Sequence, residues 1–261
     1  MVKSDSKKKL HASDSQTSIA DVKINRLMIA FIIGVFAVAS MLLVKKNIAN
    51  EAFFITYLLP VLLVVAVAGT IASIVLLVKR KGVDESRHIF TGANVFGTAC
   101  VLLLATVYYR LTFDATMVIA WFIAAVVLYF VYNIFAGDFF LYSVLSAAGV
   151  LLLKASSISY MTSFSEIISM IYAIAAIVFA VVGIVLAIML KSSKGKLALG
   201  NKKFSVYGPR GGHVFPLIIA AIIIATGGIL AIFASAFVIY AVAALIAAYL
   251  AIAVVYVIKM M

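Results

Sequence analysis

The sequence predicts an all-α fold, a polytopic integral membrane bundle of eight transmembrane helices. Three observations carry that prediction. Of 261 residues 66% are hydrophobic and only 11% charged, with mean hydropathy +1.25, whereas a soluble domain holds about 45–50% apolar and about 25% charged residues. The apolar residues fall into runs long enough to cross a hydrocarbon core about 30 Å thick at 1.5 Å per residue. The charges lie between those runs, with a strong bias in sign and side.

The runs, in chain order, are Leu27 to Val44, Phe53 to Val78, Ile89 to Tyr108, Ala115 to Phe135, Phe139 to Leu153, Ile167 to Leu190, Val214 to Phe233 and Phe237 to Ile258. The first follows a basic leader and reads as an uncleaved signal anchor, because the apolar stretch continues past Ala37 and Ala39 to Lys45-Lys46. Residues 1–26, rich in Ser, Lys and Asp, have the composition of a disordered basic tail on the cytoplasmic side. The second span carries Pro60, which removes a backbone donor and predicts a kink or local irregularity. The fifth is short and has to thin the bilayer locally or borrow Asp138 and Lys154 as snorkelling flanks, since a re-entrant segment would move the basic loop from Lys191 to Arg210 outside. Pro216 sits in the first turn of the seventh, where it is tolerated. The last two runs form one uncharged tract, with the turn expected at Ala234-Ser235-Ala236.

Orientation follows from charge. With both termini cytoplasmic and all eight runs crossing, seventeen of the 21 Lys and Arg residues lie inside and only Lys45, Lys46, Arg110 and Lys154 outside. The net charge of +12 is thereby a topology signal for the cytoplasmic (plasma) membrane rather than a nucleic-acid signature. Tyrosines near span ends, among them Tyr108, Tyr109, Tyr132, Tyr142 and Tyr256, read as an interfacial aromatic belt.

A weak internal duplication is visible. Glu51 and Tyr57 recur 115 residues later as Glu166 and Tyr172, and His88-Ile89-Phe90 recurs as His213-Val214-Phe215. Four spans per unit would relate two parallel halves about an axis along the membrane normal, a four-plus-four bundle with the first unit at roughly 27–135. By linear order the chain divides into the leader 1–26, a first membrane part 27–153 and a second part 154–261, with a basic cytoplasmic loop at 191–213, all within one membrane domain. Stripes at i+4 spacing, mostly of small residues (Ala93, Gly97, Val101 and Ala105; Gly183 and Ala187; Gly227, Ala231 and Ser235; Ala243, Ala247 and Ala251), predict faces turned into the bundle.

The chemistry is sparse. All nine acidic residues fall in the leader, in loops or at helix ends, so no midplane carboxylate relay is expected. One cysteine, Cys100, excludes an internal disulfide and a multi-thiolate zinc site. Neither H-E-x-x-H nor G-x-S-x-G occurs, so neither a zinc protease nor a serine hydrolase is expected, and no enzyme, metal or cofactor is predicted. The candidate polar residues are Asn94, Tyr57 and Tyr172 along a substrate path or packing face. Glu51 with Glu166 and His88 with His213 are the candidate symmetric pairs at helix ends. In the loop containing GNKKFSVYGPRGGH, Lys202, Lys203 and Arg210 are expected to contact anionic inner-leaflet lipid or a membrane or cytoplasmic protein partner. The composition fits a permease or exporter for a neutral, apolar or lipid-like small molecule, and equally a non-catalytic subunit or scaffold of a larger membrane complex.

Overall fold

The structure is a computed structural model. It describes the backbone of residues 3–79, 92–112, 114–135, 137–157, 165–199, 202–207 and 212–260, with side chains over a subset of these. Nine α-helices lie among the described residues: α1 (Lys3–Lys46), α2 (Ile48–Phe53), α3 (Leu59–Lys79), α4 (Gly92–Thr112), α5 (Ala115–Ile134), α6 (Gly137–Ser156), α7 (Ser165–Ser192), α8 (Phe215–Phe233) and α9 (Val238–Met260). Seven helical segments are long and apolar enough to cross a membrane, and the described part of α4, Val95–Arg110, is a shorter apolar helix. Large apolar side chains such as Ile32, Phe36, Val64, Ile188 and Phe233 face outward, which fits a multi-pass membrane protein whose outer surface meets lipid.

The helix ends follow from local sequence. Asn47 is extended (φ −146°, ψ 130°) and its side chain accepts from the Ala49 N–H at 3.0 Å, so a single residue stops α1 and caps α2. Asp114 caps α5 in the same way, accepting from Thr116 N–H at 2.9 Å. Pro60 is preceded by a π-helical turn, Phe54–Leu58, in which the Leu59 N–H reaches back five residues to the Phe54 carbonyl. The irregularity expected at Pro60 is this turn, which lets α2 run on into α3 around the missing donor. Pro216 lies in the first turn of α8. The break between α8 and α9 falls at Ala234 and a 3-10 turn, Ser235–Phe237, where the sequence places it.

Three features depart from the sequence reading. Backbone helix extends through the leader from Lys3 rather than starting near Leu27. The fifth span gains residues at both ends: α6 takes in Asp138 and Lys154 and reaches 20 residues, an ordinary membrane-crossing length. The long loop contains an antiparallel hairpin, β1 (Lys196–Leu199) with β2 (Lys202–Ser205), in the register Leu197↔Phe204 and Ala198↔Lys203.

The chain forms two compact units, Met1–Tyr129 and Phe130–Met261, with the division inside α5. The physical reason is α6, which packs on α7, α8 and α9. In the first unit α3 pairs with α4 where Gly69 approaches Ala99, and Gly34 of α1 lies under Val126 of α5. In the second, Leu145, Leu153, Ala176, Ala180, Ile224 and Leu245 form the core. Gly149 lets α6 close on Ile224, and Gly227 and Gly228 of α8 meet Leu153 and Ile177.

The small-residue stripes divide. Those of α7 and α8 are packed at Gly183, Ala187, Gly227 and Ala231. In α4, a Cβ added at Gly97 would meet no neighbour, and the packed face runs instead through Ala99 and Ala105. In α9, Ala243, Ala247 and Ala251 face outward, while Val238, Ala241, Leu245 and Tyr256 are buried. The larger side chains gain more contact area by burial and so select the inward face.

Candidate functional site

Two arrangements stand out from the apolar packing, one in each unit. In the first unit a cleft of ≈ 190 Å³ lies among α1, the π turn, α3, α4 and α5. Its walls are Ile33, Phe36, Ala37, Met41, Phe54, Leu58, Leu62, Leu102, Ala105, Val118 and Phe122, together with the hydroxyl residues Ser40, Thr106 and Tyr109. Each hydroxyl is already engaged. Ser40 Oγ donates to the Phe36 carbonyl at 2.8 Å, and Thr106 Oγ1 bonds to the Leu102 and Leu103 carbonyls within its own helix. Tyr109 Oη donates to Glu51 Oε1 at 3.1 Å. The surface offered to a ligand is therefore apolar and aromatic, and Phe36, 75% exposed, marks an opening along α1.

The π turn positions this wall. It carries Phe54, whose ring meets Tyr109 edge-on at 5.2 Å, and Leu58, both of which line the cleft. Glu51 lies one helical turn before Phe54, in the first turn of α2, where a carboxylate also favours the positive end of the helix dipole. Tyr109 is only 1% exposed, so it does not serve in an interfacial belt. Its hydroxyl finds a partner inside the protein instead of at the lipid headgroups.

In the second unit a polar centre lies within the helix packing. Asp138, expected as a snorkelling flank, is 2% exposed and accepts from Tyr256 Oη at 2.7 Å through Oδ2. Among the described residues its Oδ1 has no hydrogen-bond partner, and neither have Tyr142 Oη and Ser146 Oγ. Tyr249 and Ser143 share a hydrogen bond of 3.2 Å. Phe139 packs between these rings, 4.7 Å from Tyr256 and 5.8 Å from Tyr249. Tyr142 and Tyr256 are thus core residues rather than belt residues, because α6 and α9 bury them around Asp138.

The loop folds back beside this centre. Lys194 (φ 51°) and Gly195 (φ 79°) take the left-handed conformation that ends α7, and the Gly195 N–H returns to the Leu190 carbonyl at 2.8 Å. A Cβ at Gly195 or Gly212 would strike the Tyr207 ring, so two glycines make room for it. Burial and the nearby Asp138 charge push the Tyr207 phenol above its ordinary range.

The residues singled out by sequence are scattered. Tyr57 is 64% exposed with its ring tilted against Phe53, and Tyr172 is half-buried on α7 in the second unit; neither lines the cleft. Glu51 and Glu166 both lie in the first turns of their helices; Glu51 is bonded to Tyr109, and Glu166 is exposed. His213 is exposed, with Nε2 3.3 Å from Lys259 Nζ. His88 and Arg210 lie outside the described residues, and for Asn94, Lys202 and Lys203 only the backbone is described. Asp138 and Tyr109 were missed as site residues. For Asp138 a signal existed: Asp138, Tyr142 and Ser146 recur at i+4, a polar stripe down one face of an apolar helix. No protein-family model, curated protein or solved structure matches this chain.

Proposed function

We propose that the protein is a permease or exporter-like membrane protein for a neutral, apolar or lipid-like small molecule, with no catalytic step. The apolar cleft of the first unit carries this reading. An engineered cavity of about 150 Å³ lined by apolar side chains stays dry and binds benzene, so a cleft of ≈ 190 Å³ suits one ring or a short alkyl segment. In a bilayer the competing solvent for such a molecule is lipid, and the opening along α1 gives access from that side. The test is efflux of a small apolar dye from vesicles holding the purified protein. Rates equal to those of empty vesicles, with no apolar molecule co-purifying, overturn the reading.

The arrangement we propose is eight spans in the plasma membrane, α4 completing the seven longer helices, with both termini cytoplasmic and an ancestral four-plus-four duplication. The distribution of Lys and Arg supports the orientation, and the shared first-turn position of Glu51 and Glu166 supports the duplication. The loop at 191–213 then lies on the inner leaflet, where Lys202, Lys203 and Arg210 meet anionic lipid. With Cys100 replaced by Ala, Lys202→Cys should resist an impermeant thiol reagent in intact cells; rapid labelling reverses the topology.

A second reading, a non-catalytic subunit or scaffold, has one observation in its favour. The outward stripe Ala243, Ala247 and Ala251 on α9 is the kind of surface on which another membrane helix packs closely. A stable partner that is lost on Ala247→Leu would favour it.

A further inference from the structure

We propose that Asp138 holds one small monovalent cation, of the size and chemistry of sodium, inside the second unit. The site belongs to that unit alone, and the ligand of the first unit's cleft stays neutral. Asp138 is 2% exposed in the first turn of α6, and Tyr256 Oη donates to its Oδ2 at 2.7 Å. Tyr207 is near enough for the Asp138 charge to act on its phenol, but its hydroxyl stands 3.5 Å from the Leu190 carbonyl. Tyr249 shares its bond with Ser143. Lys259, one turn beyond Tyr256 on α9, has its Nζ 3.3 Å from His213 Nε2. Among the described residues nothing donates to Oδ1.

A carboxylate offers about four acceptor positions, so one phenol leaves Asp138 short. Burial makes the shortfall costly, because a charge taken out of water has to be paired. The helix end offsets only part of it, since it carries about half an elementary charge. The surroundings select the partner. The Val206 carbonyl oxygen lies at the start of α6, 2.9 Å from where a Cβ on Gly137 would stand. Further along the Asp138 face, Tyr142 Oη and Ser146 Oγ are buried and also without partners among the described residues. Oxygens suit hard cations and disfavour soft ones. A divalent ion calls for more carboxylates, and no cluster of three His, Cys, Asp or Glu able to hold a metal occurs among the described residues. One carboxylate balances one charge. Phe139, packed 4.7 Å from the Tyr256 ring, helps close Oδ1 to water, so an ion smaller than a water molecule fits better than an organic ammonium.

Sodium alone is the probe. The purified full-length protein in detergent is dialysed into sodium chloride or into N-methylglucamine chloride of equal ionic strength, and thermal unfolding is followed beside equilibrium binding of radioactive sodium. The wild type should bind about one sodium per chain, saturably, and its unfolding midpoint should rise with sodium and not with N-methylglucamine. Asp138→Asn keeps the shape and removes the charge, so it should weaken sodium binding by about tenfold or more and abolish the response of the midpoint. Tyr256→Phe keeps the carboxylate and should still bind. No saturable sodium binding by the wild type, or a folded Asp138→Asn protein that binds as the wild type does, overturns the ion. So does a wild type indifferent to sodium whose stability falls as far on Arg210→Gln or Lys259→Gln as on Asp138→Asn, since a side chain then supplies the charge. The wild-type comparison decides the matter even where Asp138→Asn fails to fold.

Discussion

Gly149 and Gly97 form a controlled pair, since both are helical glycines in apolar helices and only one meets a neighbour. A Cβ on Gly149 would lie 2.4 Å from Ile224 Cδ1, 2.5 Å from Ile224 Cγ1 and 3.2 Å from Leu245 Cδ2. Ile224 and Leu245 are fully buried, and Cγ1 is no chain tip that can swing aside. A β-branched side chain on a helix has essentially one χ1 rotamer, so relief requires α6 and α8 to separate. Glycine to alanine gains about 1 kcal/mol in helix propensity, and overpacking a full core costs about 1–3 kcal/mol. Gly149→Ala should therefore lose up to about 2 kcal/mol. At Gly97 nothing lies within 4 Å, and the same change should gain up to about 1 kcal/mol. Thermal or denaturant unfolding in detergent, followed by near-ultraviolet circular dichroism, measures both. A Gly149→Ala protein at least as stable as wild type, beside a Gly97→Ala protein that gains nothing, would refute the close approach of α6 to α8.

Other outcomes follow from the second unit. Tyr256→Phe removes the hydroxyl that donates to Asp138 and should cost about 1.5–3 kcal/mol in denaturant unfolding, the range for a hydrogen bond to a charged group; a cost near zero would mean that the buried carboxylate has another donor. Gly195→Ala combines a left-handed φ with a collision on the Tyr207 ring, so it should destabilise by about 1–2 kcal/mol and speed proteolytic cleavage within the loop at 191–213. Because the Tyr207 phenol is raised, the folded state favours its neutral form, and above pH about 10 the unfolded chain ionises first. Stability contributed there is whole below that pH and falls as pH rises; Tyr207→Phe should lose less stability than wild type on passing from pH 9 to about pH 11 in the same assay.

Much of the architecture is written in one dimension. Apolar run length places the helices, Pro60 marks the π turn, Asn47 and Asp114 mark helix starts, and the small residues Ala234 to Ala236 mark the break between α8 and α9. These depend on local chemistry: a missing donor, a capping oxygen, the length needed to cross lipid. The pairing of Lys196–Leu199 with Lys202–Ser205 was not legible, because the charge of that segment reads as a solvated loop.

Facing was harder to read. Every α9 residue but Lys259 is apolar or tyrosine, so hydropathy cannot choose between the Ala243–Ala247–Ala251 face and the Val238–Leu245–Tyr256 face. Only the shapes of α6 and α8 choose. The same holds for Asp138: its place in the first turn of a helix reads as a water-facing end, and α9 and the returning loop decide that it is buried. The sequence by itself determined that the chain belongs in a membrane, roughly where its helices start and stop, and where charge is tolerated, since those are properties of segments against solvent. Tertiary structure alone decided which carboxylate is buried, which glycines are contacts and that an apolar cleft forms beside Tyr109, since each depends on the surface that a distant helix presents.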